Sequence, residues 1–387
     1  MPASDSGLNR HRFPGLRDGW CRLDGPGGSL PVDSSIDAIA SWMASGRGAN
    51  SGGAFAAAHE TDAAVARARA AAGRLLGADP QGVVFGPSMT GLTLRLADAV
   101  AATLRPGDEI ICTRLDHDAN ISPWLLAAER SGALVRFAEP DPVTLELAPV
   151  DVEMLLGPRT RWVALTAASN ACGSAPDVAT IVASAHAAGA RVAVDAVHAT
   201  PHLRIDARAI NCDVLLCSAY KWFGPHVGVM AARPELLEEL TPAKIRPAPD
   251  HGPERWEVGT LPFESLEGVT AAADYLMDTG IEAVLEQESM LLHGMLEGLG
   301  AIDRVTLHGT PRQRTPTVLF SVAGLEAETV ARGLAARRVA VWDGDFYALE
   351  LLRVVGRPAA VRAGALHYND AEDIERLVSG VREIAAS

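Results

Sequence analysis

The sequence predicts an α/β fold: one large, mostly parallel sheet covered by helices, followed by a small α/β domain towards the C-terminus. Three observations carry this. From residue 83 to residue 217, short apolar runs alternate with helical stretches, the pattern of a parallel sheet with helices on both faces. A segment rich in Pro and charge, residues 241–262, interrupts the alternation, and a second αβ pattern begins near Val305. The 387 residues, 48% of them hydrophobic, suffice for one large core and a smaller one. The expected division is an N-terminal arm (1–20), a large domain (21–262), and connector helices with a small C-terminal domain (263–387).

Taken in order, residues 1–17 are polar and read as a loose arm. Residues 21–31 form a Gly/Pro turn stretch whose backbone can approach a ligand closely, with Gly27 inside it. Residues 47–53 form another. Residues 61–76 are an Ala- and Arg-rich helix, closed by Gly77 and Pro80. Strands follow at 83–85, 109–113, 134–138 and 162–166, with helices at 90–104 and 121–130. A helix at 176–188 precedes two apolar runs, 192–194 and 213–217, that read as strands buried on both faces. Residues 263–299 read as two helices. In the small domain, strands are expected at 317–322, 339–342 and 361–363, and helices at 326–337 and 371–384.

Charge and cysteine usage exclude several classes of function. The net charge is −14 and no Lys/Arg cluster stands out, so neither nucleic acid nor an anionic membrane is an expected partner. No apolar run approaches a membrane span, and the polar first residues do not read as a secretory leader. The five cysteines (Cys21, Cys112, Cys172, Cys212, Cys217) are odd in number and contain no C-x-x-C pair. That usage fits a reducing cytoplasm, with neither a disulfide framework nor a metal pair.

The chemistry gathers at strand ends. Lys221 stands in a turn just beyond the strand at 213–217, flanked by Trp222 and Phe223. Apolar walls disfavour the ammonium, lower the amine pKa and make the amine a nucleophile, which is what a Schiff base with an aldehyde cofactor requires. A lone lysine is far more often a surface residue; its companions alter that balance. Asp195 ends the strand at 192–194, where open α/β sheets bind ligands. A carboxylate there keeps a pyridine nitrogen protonated and makes a pyridoxal ring an electron sink; it also suits a helix cap. Gly86-Pro-Ser-Met-Thr-Gly91 joins a strand to a helix, where backbone N–H groups favour a phosphate and Ser88 and Thr90 add hydroxyls. Ser88 equally fits an ordinary N-cap. His117 suits ring stacking or capping, and Asn170 suits donation to a phenolate oxygen or a turn. His198 and His202 have metal-like spacing, but Pro201 prevents a regular helix between them and no metal is expected. All these positions fall at carboxyl ends of expected parallel strands and so converge on one face of the sheet.

The motifs Asp116-His-Asp-Ala-Asn120, Ser169-Asn-Ala-Cys-Gly173, Val194-Asp-Ala-Val-His198 and Ser218-Ala-Tyr-Lys221 occur in one order. In that order and spacing they resemble the class V aminotransferase group of fold-type I pyridoxal phosphate (PLP) enzymes. Most of all they resemble cysteine desulfurases and desulfurase-like proteins, from about Leu23 to the C-terminus. The resemblance implies an aspartate aminotransferase-like fold, PLP as cofactor and an amino acid as substrate. It implies that Lys221 is the Schiff-base lysine and proton shuttle, that Asp195 pairs with the pyridinium nitrogen and that His117 stacks on the ring. Asn170 and His198 are then near the ring oxygen, and Ser88, Met89, Ser218 and Tyr220 hold the phosphate. Thr260 resembles the residue that reaches the phosphate of the neighbouring subunit, which implies a homodimer with shared sites. Arg362 resembles the anchor of the substrate carboxylate, a task suited to a planar guanidinium, with Gly27, Asn170 and Trp342 also at the substrate.

The chain departs from the desulfurase pattern. His198 stands where desulfurases usually carry Gln, Tyr220 where they have His and Met89 where they have Thr. Tyr347 stands at about the position of the persulfide-forming Cys, Trp342 replaces a second substrate Arg, and no Cys follows Cys217. The expected function is therefore chemistry at Cα/Cβ of an amino acid without sulfur transfer to the enzyme: a C–S lyase acting on a cysteine S-conjugate, with Tyr347 as an acid to the leaving group. Decarboxylation with oxidative deamination, transamination and epimerisation are the alternatives within PLP chemistry. A desulfurase with a relocated thiol, Cys21 or Cys172, and a catalytically silent scaffold are the others.

Overall fold

The computed structural model describes residues 7–386. A two-residue strand, β1 (Cys21–Arg22), opens the chain's sheet structure. Seven strands then build the large sheet: β2 (Val83–Gly86), β3 (Glu109–Thr113), β4 (Leu134–Ala138), β5 (Thr160–Thr166), β6 (Arg191–Asp195), β7 (Val214–Ser218) and β8 (Gly228–Ala232). Their spatial order is β2-β8-β7-β6-β5-β3-β4. The pairs β7–β6, β6–β5, β5–β3 and β3–β4 are parallel. Every residue of β3 and β7 is buried, as expected of strands covered on both faces.

β8 was not legible in the sequence. It runs antiparallel between β2 and β7, because the short turn after Lys221 folds the chain straight back without the crossover a parallel strand would need. Its first residue must be glycine: a Cβ on Gly228 would lie 2.2 Å from the carbonyl carbon of Ser88. Thus β8 presses the helix start at Ser88 against the end of β7, which carries Lys221.

The small sheet is antiparallel, in the order β12-β13-β10-β9, from β9 (Val305–His308), β10 (Thr317–Val322), β12 (Trp342–Gly344) and β13 (Ala360–Gly364). The single strand expected at 339–342 is divided. β11 (Val339–Ala340) pairs in parallel with β1, whereas Trp342–Gly344 pairs with β13. β9 and two helices, Asp33–Ala44 and Leu349–Val355, are further elements the sequence reading lacked. The first of these helices packs on helix Phe263–Thr279, with the Ser35 hydroxyl donating to the Gly268 carbonyl at 3.0 Å.

The arm is docked, not loose, over the described residues 7–20. Phe13 is fully buried among Phe223, Tyr275, His367 and Tyr368, with ring centroids 4.7–5.8 Å away. Leu8 N–H donates to the His367 carbonyl at 2.8 Å, and Arg10 reaches Asp373 at 2.8 Å. Burying one phenylalanine contributes about 2 kcal/mol towards holding the segment. Residues 1–6 of the expected arm lie outside the described residues.

Candidate active site

The carboxyl ends of β3, β5, β6 and β7 and the start of helix Met89–Ala101 surround one cavity. Met89, His117, Asn170, Asp195, His198, Ser218, Tyr220 and Lys221 line it together. Thr90, Ala119, Thr166, Ala168 and Val197 complete the lining. Thr166 is the last residue of β5, so the strand-end rule that singled out Asp195 would have found it too.

Lys221 is buried, and its ammonium donates to the Pro26 carbonyl. Burial first, and the nearby charge of Arg362 second, push its pKa down to about 7 against the pull of Asp195. Asp195 accepts the Val197 N–H at 2.8 Å, and burial pushes it up to about 6. Beyond it lies Asp116, a residue the sequence reading did not single out. Its carboxyl is held by the Thr113 hydroxyl and by Asn120 Nδ2 at 2.8 Å, and burial raises it to about 8. His117 is pushed down to about 4, by burial and then by Lys221, while its Nδ1 accepts the Ala119 N–H at 3.0 Å. A neutral imidazole suited to stacking and a capping histidine are therefore one and the same residue.

His198 and His202 each meet a partner from another segment. Burial holds His198 well below the usual histidine range, and its Nε2 sits 2.9 Å from the Thr315 hydroxyl and 3.1 Å from that of Thr317. His202 Nδ1 is 2.8 Å from Glu288 Oε2. Among the described residues no group of His, Cys, Asp and Glu has the arrangement of a metal site.

Other expected site residues stand outside the cavity. Ser88 caps helix Met89–Ala101, its Oγ accepting the Gly91 N–H at 3.0 Å. Thr260 is exposed, on a loop that Glu257 anchors through Arg69 at 2.9 Å and Phe85 N–H at 2.9 Å. Arg362 is buried beside the cavity; its Nη1 donates to the Asn170 carbonyl at 3.0 Å. Gly27 and Trp342 line an adjoining apolar groove of about 600 Å³ with Ile36, Ile39, Met43 and Tyr220. Tyr347 is exposed, its ring stacked on His117 at 5.5 Å. Neither thiol considered as a substitute faces the cavity: Cys21 and Cys172 are wholly buried, and burial raises both thiols.

The residues present fit pyridoxal phosphate. An amine near neutrality faces a strand-end carboxylate, and the first N–H groups of helix Met89–Ala101, unpaired within any helix, suit a phosphate. Arg362 Nε is buried beside the cavity without a partner, a free donor for an anionic group. The topology and this site define a fold-type I PLP-dependent enzyme.

Comparison with known proteins agrees. The chain belongs to the class-V aminotransferase family, whose model matches residues 22–377. It is 32% identical to an uncharacterized protein (MT3887) of Mycobacterium tuberculosis (strain CDC 1551 / Oshkosh) over 99% of this chain and 100% of that one. It is 35% identical to a cysteine desulfurase of Enterobacter sp. (strain 638), covering 73% of this chain and 72% of that one. Among solved structures, the cysteine desulfurase CsdA of Escherichia coli superposes with a TM-score of 0.87 at 28% identity, over 97% of each chain. The enzyme is thus desulfurase-like and uses PLP.

Proposed function

We propose that this enzyme cleaves the Cβ–S bond of a cysteine S-conjugate and releases the thiol, without storing sulfur on its own chain. The observation that carries the reading is the lip of the cavity, where Tyr347 rests on His117, and a cavity lining that contains no cysteine. Every cysteine is buried and free. Burial raises Cys212 and Cys217 to about 12, whereas an attacking thiolate needs a pKa near the working pH and access to the substrate.

Pyridoxal phosphate supplies a carbonyl that condenses with amines and a ring that accepts the electrons of a broken Cα bond. The chain's residues do the rest. Lys221, near neutrality, holds the cofactor at rest and then takes the Cα proton. Asp195 keeps the ring nitrogen protonated. Ser88, Met89, Ser218 and Tyr220 serve the phosphate end, and Asn170 and His198 the ring oxygen. Arg362, with Gly27, Asn170 and Trp342, orients the amino acid through its carboxylate and side chain. Tyr347 donates a proton to the leaving sulfur. Thr260, exposed and anchored from behind by Glu257, serves the phosphate of a second copy, so the working unit is a homodimer. Five unpaired cysteines support a cytoplasmic setting.

The test is incubation with cysteine and with an aromatic S-substituted cysteine, followed by assay of pyruvate, ammonia and thiol and by peptide mass mapping. Faster thiol release from the conjugate and an unmodified enzyme are expected. A stoichiometric persulfide on Cys21 or Cys172, lost together with turnover in the Cys→Ser variant, would overturn the reading in favour of a relocated desulfurase.

A further inference from the structure

Phe346 and Tyr347 are consecutive aromatic residues with left-handed backbone, at φ 57° and 54°. Bulky L-residues rarely adopt that conformation, and non-glycine outliers of this kind gather where the surroundings over-determine them. Here the surroundings are explicit. Asp345 Oδ1 accepts the Tyr347 N–H at 2.9 Å, and the Asp345 carbonyl accepts the Ala348 N–H at 2.8 Å. The Tyr347 carbonyl accepts the Asp118 N–H at 2.6 Å, across from the small domain to the large one. The Phe346 carbonyl accepts from Asn170 Nδ2 at 3.0 Å.

The Phe346 ring has a second task. It is buried, and the Arg362 guanidinium lies over its face with Cζ 4.5 Å from the ring centroid. A guanidinium held by its face keeps its N–H groups in the plane and turned outward at the edge. One of those groups, Nη1, is spent on the Asn170 carbonyl at 3.0 Å, while Nε has no partner. Asn170 Oδ1 is likewise without one. Phe346 therefore touches Arg362 through its ring and Asn170 through its carbonyl, and the free group that can meet a carboxylate is the Arg362 donor.

We propose that Phe346 is a positioning residue for the carboxylate end of the substrate, locking the Arg362 guanidinium plane in the orientation that receives it. The proposal rests on the reading of Arg362 as the carboxylate anchor. It predicts a specificity effect: loss of the ring weakens ligands that carry a carboxylate and spares those that do not. The left-handed backbone makes a clean test available, because glycine adopts it at no steric cost. Phe346→Gly keeps the backbone carbonyl and removes the side chain with its ring.

The experiment measures dissociation constants of the PLP-loaded protein for L-alanine and for ethylamine, which differ by the carboxylate, from the absorbance change on binding. Phe346→Gly should weaken alanine about tenfold, the order of a desolvated cation–π contact, and leave ethylamine within about twofold. Phe346→Tyr should restore wild-type alanine binding, and Phe346→Leu, which keeps bulk without a π face, should side with Phe346→Gly. Unchanged alanine binding in both Phe346→Gly and Phe346→Leu, or equal weakening of alanine and ethylamine, overturns the proposal. Arg362→Ala separates the two readings. If it weakens alanine no more than ethylamine, the anchor itself is wrong; if it weakens alanine selectively and the Phe346 variants do not, only the role of Phe346 falls.

Discussion

Trp342 stands directly across from Arg362, its register partner on the antiparallel strands β12 and β13. Directly opposed residues share one face of a sheet, so the indole and the guanidinium face the same way. The indole is 51% exposed, uncommon for so large an apolar ring. A Cβ on Gly27 would come within 2.3 Å of its Nε1, so a larger residue there would displace the indole. With the carboxylate on Arg362, the substrate's side chain would run towards Trp342 and the groove. We expect Trp342→Ala to lower kcat/KM about tenfold for an aromatic S-conjugate, within the range of one hydrophobic contact, and much less for a methyl one. Equal losses for the two substrates would remove Trp342 from recognition.

The lysine sets a pH dependence. With Lys221 at about 7, its neutral form dominates above that pH. Capture of PLP by the apoprotein, followed by visible absorbance, should therefore rise with pH through a midpoint near 7, not near 10. Arg362 lowers this pKa and Asp195 raises it. Arg362→Met should move the midpoint up and Asp195→Asn should move it down. Lys221→Ala should show no borohydride-stable attachment of PLP; its persistence would place the attachment elsewhere.

Asp116 makes a stability prediction of definite sign. Its carboxyl is raised from 3.8 to about 8 in the folded chain. Between those pH values the folded state holds a proton that the unfolded state releases, so stability declines as pH rises through that window. Asp116→Asn should flatten the decline in urea unfolding of the apoprotein. Asp195, shifted in the same direction to about 6, leaves a smaller residual slope. An undiminished slope in the variant would mean that Asp116 is ionised in the fold.

His202 and Glu288 tie the loop after β6 to helix Ile281–Gly300, both side chains almost wholly buried. His202→Ala leaves a buried carboxylate without its partner. It should cost about 3–5 kcal/mol in chemical unfolding, as broken buried pairs do. Glu288→Gln, which keeps the hydrogen bond, should cost less. A loss below about 1 kcal/mol for His202→Ala would mean that solvent reaches the pair.

Thr260 tests assembly. If it completes a neighbour's phosphate site, sedimentation should show a dimer and Thr260→Ala should bind PLP more weakly. Mixing Lys221→Ala with a severely impaired Thr260 variant should then recover part of the activity. A fully active monomer would rule out shared sites.

The alternation of short apolar runs and helices was sufficient by itself for the large parallel sheet, because strand periodicity and turn chemistry are local properties of the chain. The same locality placed Lys221, Asp195, His117 and Asn170 at strand ends, and strand ends of one parallel sheet necessarily meet on one face. Tertiary structure alone decided what depends on distant partners. β8 is a strand only because β2 and β7 lie on either side of it. The polar arm is fixed by Phe13 entering a pocket of rings from three remote segments. Glu288 gained its importance from His202, 86 residues away. Phe346 had no local mark either, since a left-handed backbone would not be chosen by an isolated phenylalanine and its partners, Asn170 and Arg362, come from other segments.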